Sequence, residues 1–171
     1  MSNFKEIDVK EFKCDPFEKI GEDWMLITAQ KDDKVNTMTA SWGAMGIMWG
    51  HKVVMLFIKG ARYTKEFLDQ SDTFSVTFYD TDKYRKDLTY LGTVSGRDED
   101  KIEKVGFTVE QEDGVPYFAE AKTVLICKKL SRHFLQPEGI FDESVVPTWY
   151  QDGNGFHDMY IGEIVKVMEA E

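Results

Sequence analysis

The sequence predicts a mainly β protein, a closed or nearly closed antiparallel barrel with a few short helices, filling residues 1–171 as one domain. Three observations carry that expectation. Short apolar or alternating runs recur at close spacing, divided by glycine and polar turns, with only brief helical stretches among them. A chain of 171 residues is long enough to bury a core without disulfide or metal staples. Neither a GxGxxG nor a GxxxxGK[ST] follows any strand, which argues against a parallel nucleotide-binding sheet.

The elements follow in order. Stretches 24–29 and 37–42 read as strands around the polar turn Lys31-Asp32-Asp33-Lys34, a hairpin. The run from Lys52 to Ile58 is apolar enough to be a strand buried on both faces, and Gly60 breaks it. Thr64 reads as the N-cap of a short helix through Gln70, and Thr73 to Tyr79 alternates as the next strand. Residues 82–91 are helical in pattern and Gly92 ends them, while Ser95-Gly96-Arg97-Asp98 turns into a second short helix over 98–105. Acids stand in the first turn of that second helix, where the helix dipole favours them. Later strands are expected at 107–109, 123–130 and 160–167. Between Leu130 and Gly155 lies a long irregular stretch with Pro137 and Pro147, punctuated by His133, Phe134, Phe141 and Trp149. The sequence assigns this stretch no single role.

Composition narrows the function classes. The chain is 42% hydrophobic with net charge -10, a balance that opposes nucleic acid and anionic membranes as partners. No run approaches the ~20 apolar residues of a membrane span. The polar start Met1-Ser2-Asn3-Phe4-Lys5-Glu6 lacks the apolar core of a signal peptide, so the cytoplasm is the expected location. Cys14 and Cys127 match no CxxC or disulfide framework and are expected to be reduced thiols. With His51, His133 and His157 far apart, no metal site is expected.

One window departs from this acidity. From Asn36 to Lys65 there is no Asp or Glu, although acids make up 31 of the 171 residues, and the same window holds Lys52, Lys59, Arg62 and Lys65. A local positive field in an acidic chain suits a small anion such as a phosphate. The window opens on Asn36, Thr37, Met38, Thr39, Ala40, Ser41 and Trp42, dense in hydroxyl and amide groups fit for a polar ligand. The same alternation also suits a half-buried barrel strand that binds nothing. Lys59-Gly60-Ala61-Arg62-Tyr63-Thr64 ends a strand and opens a helix, whose free N–H groups with Arg62 and Lys59 would meet an anion; an ordinary capped helix with solvated bases is the plain alternative. Ser95, Gly96, Arg97 and Lys101 form a third candidate, which a capped surface helix explains nearly as well. His157 can touch a substrate or redox ring, or be a satisfied histidine at a strand edge.

In this order the pieces resemble the flavin reductase-like family with the FMN-binding split barrel, which includes flavoredoxins. The resemblance covers residues 24–167 through NTMTASWG at Asn36–Gly43, RYT at Arg62–Thr64, SGRDEDK at Ser95–Lys101 and HDMYIGEI at His157–Ile164. It implies that Asn36 through Ser41 line the flavin ring and ribityl chain with Trp42 shaping the pocket, and that Arg62, Tyr63, Thr64 and Lys59 hold the phosphate end. Ser95, Gly96, Arg97 and Lys101 would close over the cofactor, and His157 would lie near the ring face where a partner reacts. It further implies a homodimer and an FMN-dependent oxidoreductase, a flavin reductase taking hydride from NAD(P)H at flavin N5. Two other readings stay open: a flavoredoxin-like carrier that holds FMN tightly and exchanges electrons with a redox protein, and a non-catalytic dimeric barrel.

Overall fold

The computed structural model describes residues 4–171; Met1, Ser2 and Asn3, on which the polar-start expectation partly rests, lie outside the described residues. The strands are β1 Phe4–Ile7, β2 Met25–Lys31, β3 Lys34–Ala40, β4 Gly43–Met48, β5 His51–Lys59, β6 Thr73–Phe78, β7 Val109–Glu112, β8 Val115–Phe118, β9 Thr123–Phe134 and β10 His157–Ala170. The helices are α1 Tyr63–Gln70, α2 Thr81–Thr93, α3 Lys101–Val105 and α4 Val145–Trp149. One antiparallel sheet runs β3-β2-β6-β9-β10-β5-β4, with β1 added to the far end of β10 and β7–β8 a separate ribbon. β3 and β4 are neighbours in the chain, yet they end the path at opposite edges. The barrel is therefore split at Ser41-Trp42, as the expected antiparallel split-barrel class requires.

Strand alternation divides the core in two. Met25, Ile27 and Ala29 of β2 and Leu125 and Cys127 of β9 face a cluster closed by Phe67 and Leu68 of α1. The intervening Leu26, Val124 and Ile126 face a second cluster with Leu88 and Leu91 of α2, Phe107 and Phe118. Helix, ribbon and sheet are each apolar on the side they share, so burying those sides fixes α1 and α2 against β2 and β3. α1 is also tied electrostatically. Its Asp69 meets Lys65 at 2.7 Å, Arg132 of β9 at 2.7 Å and the Tyr160 hydroxyl of β10 at 2.6 Å. Burial alone would raise the Asp69 carboxyl; these three donors outweigh it and hold the carboxyl at about 2.

Several boundaries differ from expectation, each for a local reason. β3 stops at Ala40, so Ser41 and Trp42 belong to the connection across the split. Thr64 is not the N-cap of α1: Arg62 takes that position without a side-chain bond, because the Thr64 hydroxyl accepts from Asn36 Nδ2 at 2.8 Å. α2 runs on through Gly92, where a Cβ would come within 3.0 Å of Thr39 Cβ. α3 begins only at Lys101, capped by the Asp100 carboxylate on the Glu103 amide, which leaves Asp98 and Glu99 in the preceding turn. β1, β4 and β8 and the π-helical turn Phe17–Asp23 were not legible, being short or built on glycine and polar residues that carry little periodicity. No described helix is long and apolar enough to cross a membrane.

Candidate functional site

The C-terminal half of β3, the end of β5, the start of α1 and the turn after α2 converge on one cavity of about 570 Å³. Asn36, Met38, Thr39 and Ala40 reach it from β3, and Ser41 and Trp42 from the split. Asn36 is 3% exposed; its amide is fixed by the Thr64 hydroxyl, with the Gly96 backbone packed directly against its oxygen. Thr39 donates to the Leu88 carbonyl, which ties the strand to α2. Thr37 does not belong to the cavity. It pairs across the hairpin with Thr28, and its hydroxyl donates to the Ile27 carbonyl at 3.1 Å with no exposed surface. Strand parity puts the side chain of residue 37 on the face opposite Asn36 and Met38.

One end of the cavity is cationic. Arg62 Nη1 donates to the Gly92 carbonyl at 3.0 Å, and the Arg97 guanidinium lies over the Tyr63 ring, 4.7 Å from its centroid, while bonding Ala61 and Glu66. Ser95 accepts from the Arg97 amide at 3.2 Å, shaping the turn that brings Gly96 and Arg97 to the wall. Lys101 is the unusual member. It is 4% exposed, and its ammonium donates to the Leu91 and Val94 carbonyls at 2.7 and 2.9 Å. No carboxylate pairs with it among the described residues. Burial, then the nearby Arg62, pull it down to about 8. An ammonium has three N–H donors, and two carbonyls leave one uncommitted on a group that lines the cavity. A buried, unpaired cation with an arginine close by fits an anionic ligand group.

The opposite end is aromatic. Trp42 meets Trp149 edge-on at 4.9 Å between centroids and His157 at 5.1 Å. Lys59 stands here too, but it is engaged: its ammonium contacts Asp152 at 2.6 Å and the Trp149 carbonyl at 3.0 Å. His157 is the first residue of β10, not the residue before it, and is 8% exposed. Burial first, then Lys59 and Arg62, lower its pKa, so the ring is neutral near pH 7.

Thus every residue singled out in the sequence for binding lines this cavity except Thr37. Of the four cations in the acid-free window only Lys59 and Arg62 reach it. Lys52 donates to the carbonyls of Val9, Lys10 and Phe12, and Lys65 serves Asp69 and Asp158. Phe57, Trp149, Asp152 and Asn154 line the cavity without having been foreseen. Phe57 belongs to a run that reads as plain core. The other three come from the segment between β9 and β10, more than 90 residues beyond the residues they face. Their one advance signal was the irregular aromatic stretch itself.

Residues 17–171 match the model of the flavin reductase like domain family. An uncharacterized protein of Archaeoglobus fulgidus is 26% identical over 141 residues, 81% of this chain and 68% of that protein. Among solved structures, a flavoredoxin from Methanosarcina acetivorans is similar with a TM-score of 0.69 at 21% identity, over 87% of this chain and 69% of its own. An FMN-binding domain of a flavin reductases-like enzyme from Shewanella baltica reaches 0.71 at 16% identity, over 99% and 78%. At these identities the two structures share the fold.

Proposed function

The chain belongs to the flavin reductase like domain family, and we propose that it is an FMN-binding oxidoreductase acting as an NAD(P)H-dependent flavin reductase. The observation that carries this reading is Lys101, a buried ammonium without a carboxylate at the cationic end of a cavity whose remaining wall is amide, hydroxyl and aromatic. A phosphate, with about two negative charges at neutral pH, would be held by Lys101 and Arg62, with Arg97 at the rim. Asn36 and the β3–Ser41 stretch would present hydrogen-bond donors and acceptors to the ring and its chain. When bound, FMN supplies the redox chemistry by accepting a hydride at N5. The protein's share would be orientation and charge neutralisation, with Trp42 and Trp149 flanking the ring at the aromatic end.

Titration of the purified protein with FMN, followed in the visible spectrum and by mass of any chromophore released on denaturation, tests this. Saturable one-to-one binding with NADH or NADPH bleaching the flavin bands is expected. A protein that carries no flavin and is indifferent to added FMN would defeat the reading and favour a barrel without a cofactor. The flavoredoxin-like carrier is favoured by one observation: Lys59–Asp152 and Trp42–Trp149 meet across the aromatic end, contacts that would slow exchange of a bound ligand. Tight FMN with negligible NAD(P)H oxidation would select it.

The same reading includes a homodimer. β4 is an edge strand paired on one side only, with β5, and Ile47, Trp49 and Phe17 are exposed at 69%, 58% and 86%. Open apolar edges are ordinarily covered. Sedimentation at twice the 19.8 kDa chain mass is expected; a monomer at micromolar concentration would count against it.

A further inference from the structure

Three residues of one short stretch each hold a residue of the cavity. Trp149 packs on Trp42, Asp152 pairs with Lys59, and the Tyr150 hydroxyl lies 2.8 Å from Nδ1 of His157. No residue from 128 to 156 is buried, so these contacts, with the stacking of Tyr150 on Phe156 at 4.3 Å, are what set the stretch over the cavity. We infer that Tyr150 is a positioning residue for His157: its hydroxyl donates to Nδ1 and holds the ring in the tautomer protonated on Nε2, making His157 a hydrogen-bond donor toward the cavity rather than a base.

The hydrogen-bond arithmetic supports this. A neutral imidazole has one donor and one acceptor nitrogen, and which is which follows from the partner of either. The Tyr150 hydroxyl meets Nδ1 at 2.8 Å, and the direction of that bond and the tautomer of the ring decide each other. An imidazole nitrogen is a stronger acceptor than a phenolic oxygen, so the pair is strongest with the hydroxyl donating to Nδ1. Burial is the largest influence keeping the ring neutral, and the charged groups around it add to or oppose that. Lys59 of β5 and Arg62 at the head of α1 oppose protonation. Asp152 and Asp158 favour it, yet each is already paired, with Lys59 at 2.6 Å and Lys65 at 3.0 Å. A neutral Nε2–H recognises an acceptor atom such as a carbonyl oxygen, of the cofactor or of the second substrate. The identity of that ligand rests on the FMN reading above; the tautomer does not.

The test is long-range proton–nitrogen NMR on the ligand-free, 15N-labelled full chain. The sequence holds three histidines, and His157→Gln identifies the signals of interest. In the parent protein, Nε2 protonated and Nδ1 bare near pH 7, where the lowered pKa leaves the ring neutral, is expected. Tyr150→Phe, which keeps the ring on Phe156, should mix the tautomers and move the His157 titration upward toward its ordinary value, because a bond to the neutral form is lost. A proton on Nδ1 in the parent, or an unchanged spectrum and titration in Tyr150→Phe, overturns the inference. If that variant does not fold, the parent tautomer decides alone. Failure to bind FMN beside an Nε2–H signal would sink the FMN reading and leave the role of Tyr150 standing.

Discussion

Lys101→Met is expected to weaken FMN binding by about 10- to 100-fold while the protein remains as stable as the parent or becomes more so. A hydrogen bond to a charged group contributes about 1.5–3 kcal/mol, and each ~1.4 kcal/mol is a factor of ten in affinity. The ammonium is buried and faces Arg62 without a carboxylate, so in the ligand-free protein its charge is a cost that methionine of similar length removes. The two bonds to Leu91 and Val94 that methionine loses oppose that gain. A variant that loses affinity because it unfolds would lose both properties together, and thermal melting separates the cases. The sign with pH follows from the same group. Its folded pKa of about 8 lies below the ordinary lysine value. The unfolded chain therefore binds more protons between those values, and ligand-free stability rises with pH across that window. FMN affinity runs the other way, falling as pH climbs through 8 and Lys101 loses its charge. FMN titrations from pH 7 to 9 should show the fall in the parent and none in Lys101→Met; an equal slope in both would remove Lys101 from the phosphate site.

Gly96→Ala should damage fold and site together. A Cβ at this position would sit 2.1 Å from Asn36 Oδ1 and 3.3 Å from Tyr63 Cδ1. Asn36 cannot swing aside freely, since it is 3% exposed and its amide nitrogen is committed to Thr64. The turn or the asparagine must shift, and overpacking of this kind costs about 1–3 kcal/mol. For a chain of this size that is a melting point lower by about 3–10 °C. Because Asn36 and Arg97 move with the turn, FMN affinity should drop by about tenfold or more. Asn36→Ala in the same chain should return part of the lost stability, since the clash is with the removed amide. A Gly96→Ala protein with parental melting point and FMN affinity would show that the turn yields at no cost and that Gly96 has no part in shaping the wall.

The cavity was legible to the extent that its parts are local. Asn36, Met38, Thr39, Arg62, Gly96 and Lys101 stand in three short stretches whose hydroxyl, glycine and basic content is unusual for so acidic a chain, and each stretch ends an element at the same end of the barrel. The errors have a different character. Thr37 looked equivalent to Thr39 because both are threonines of one strand face, yet Thr39 lies where β3 leaves the hairpin and meets α2, whereas Thr37 is covered by Thr28. Lys52 and Lys65 looked like part of a positive field, yet chain carbonyls take the first and Asp69 and the buried Asp158 take the second.

Alternation and glycine placement point to a β barrel, and the acid-free window to two of the cations at its cavity, because side-chain period and local charge are properties of neighbours in the chain. Tertiary structure decided that Thr39 meets the cavity while Thr37 does not, that Lys59 is taken by Asp152, and that Tyr150 reaches His157. Those outcomes depend on sheet register and on a segment closing from the far end of the chain. Partners brought together by folding across such distances leave no periodic trace in sequence.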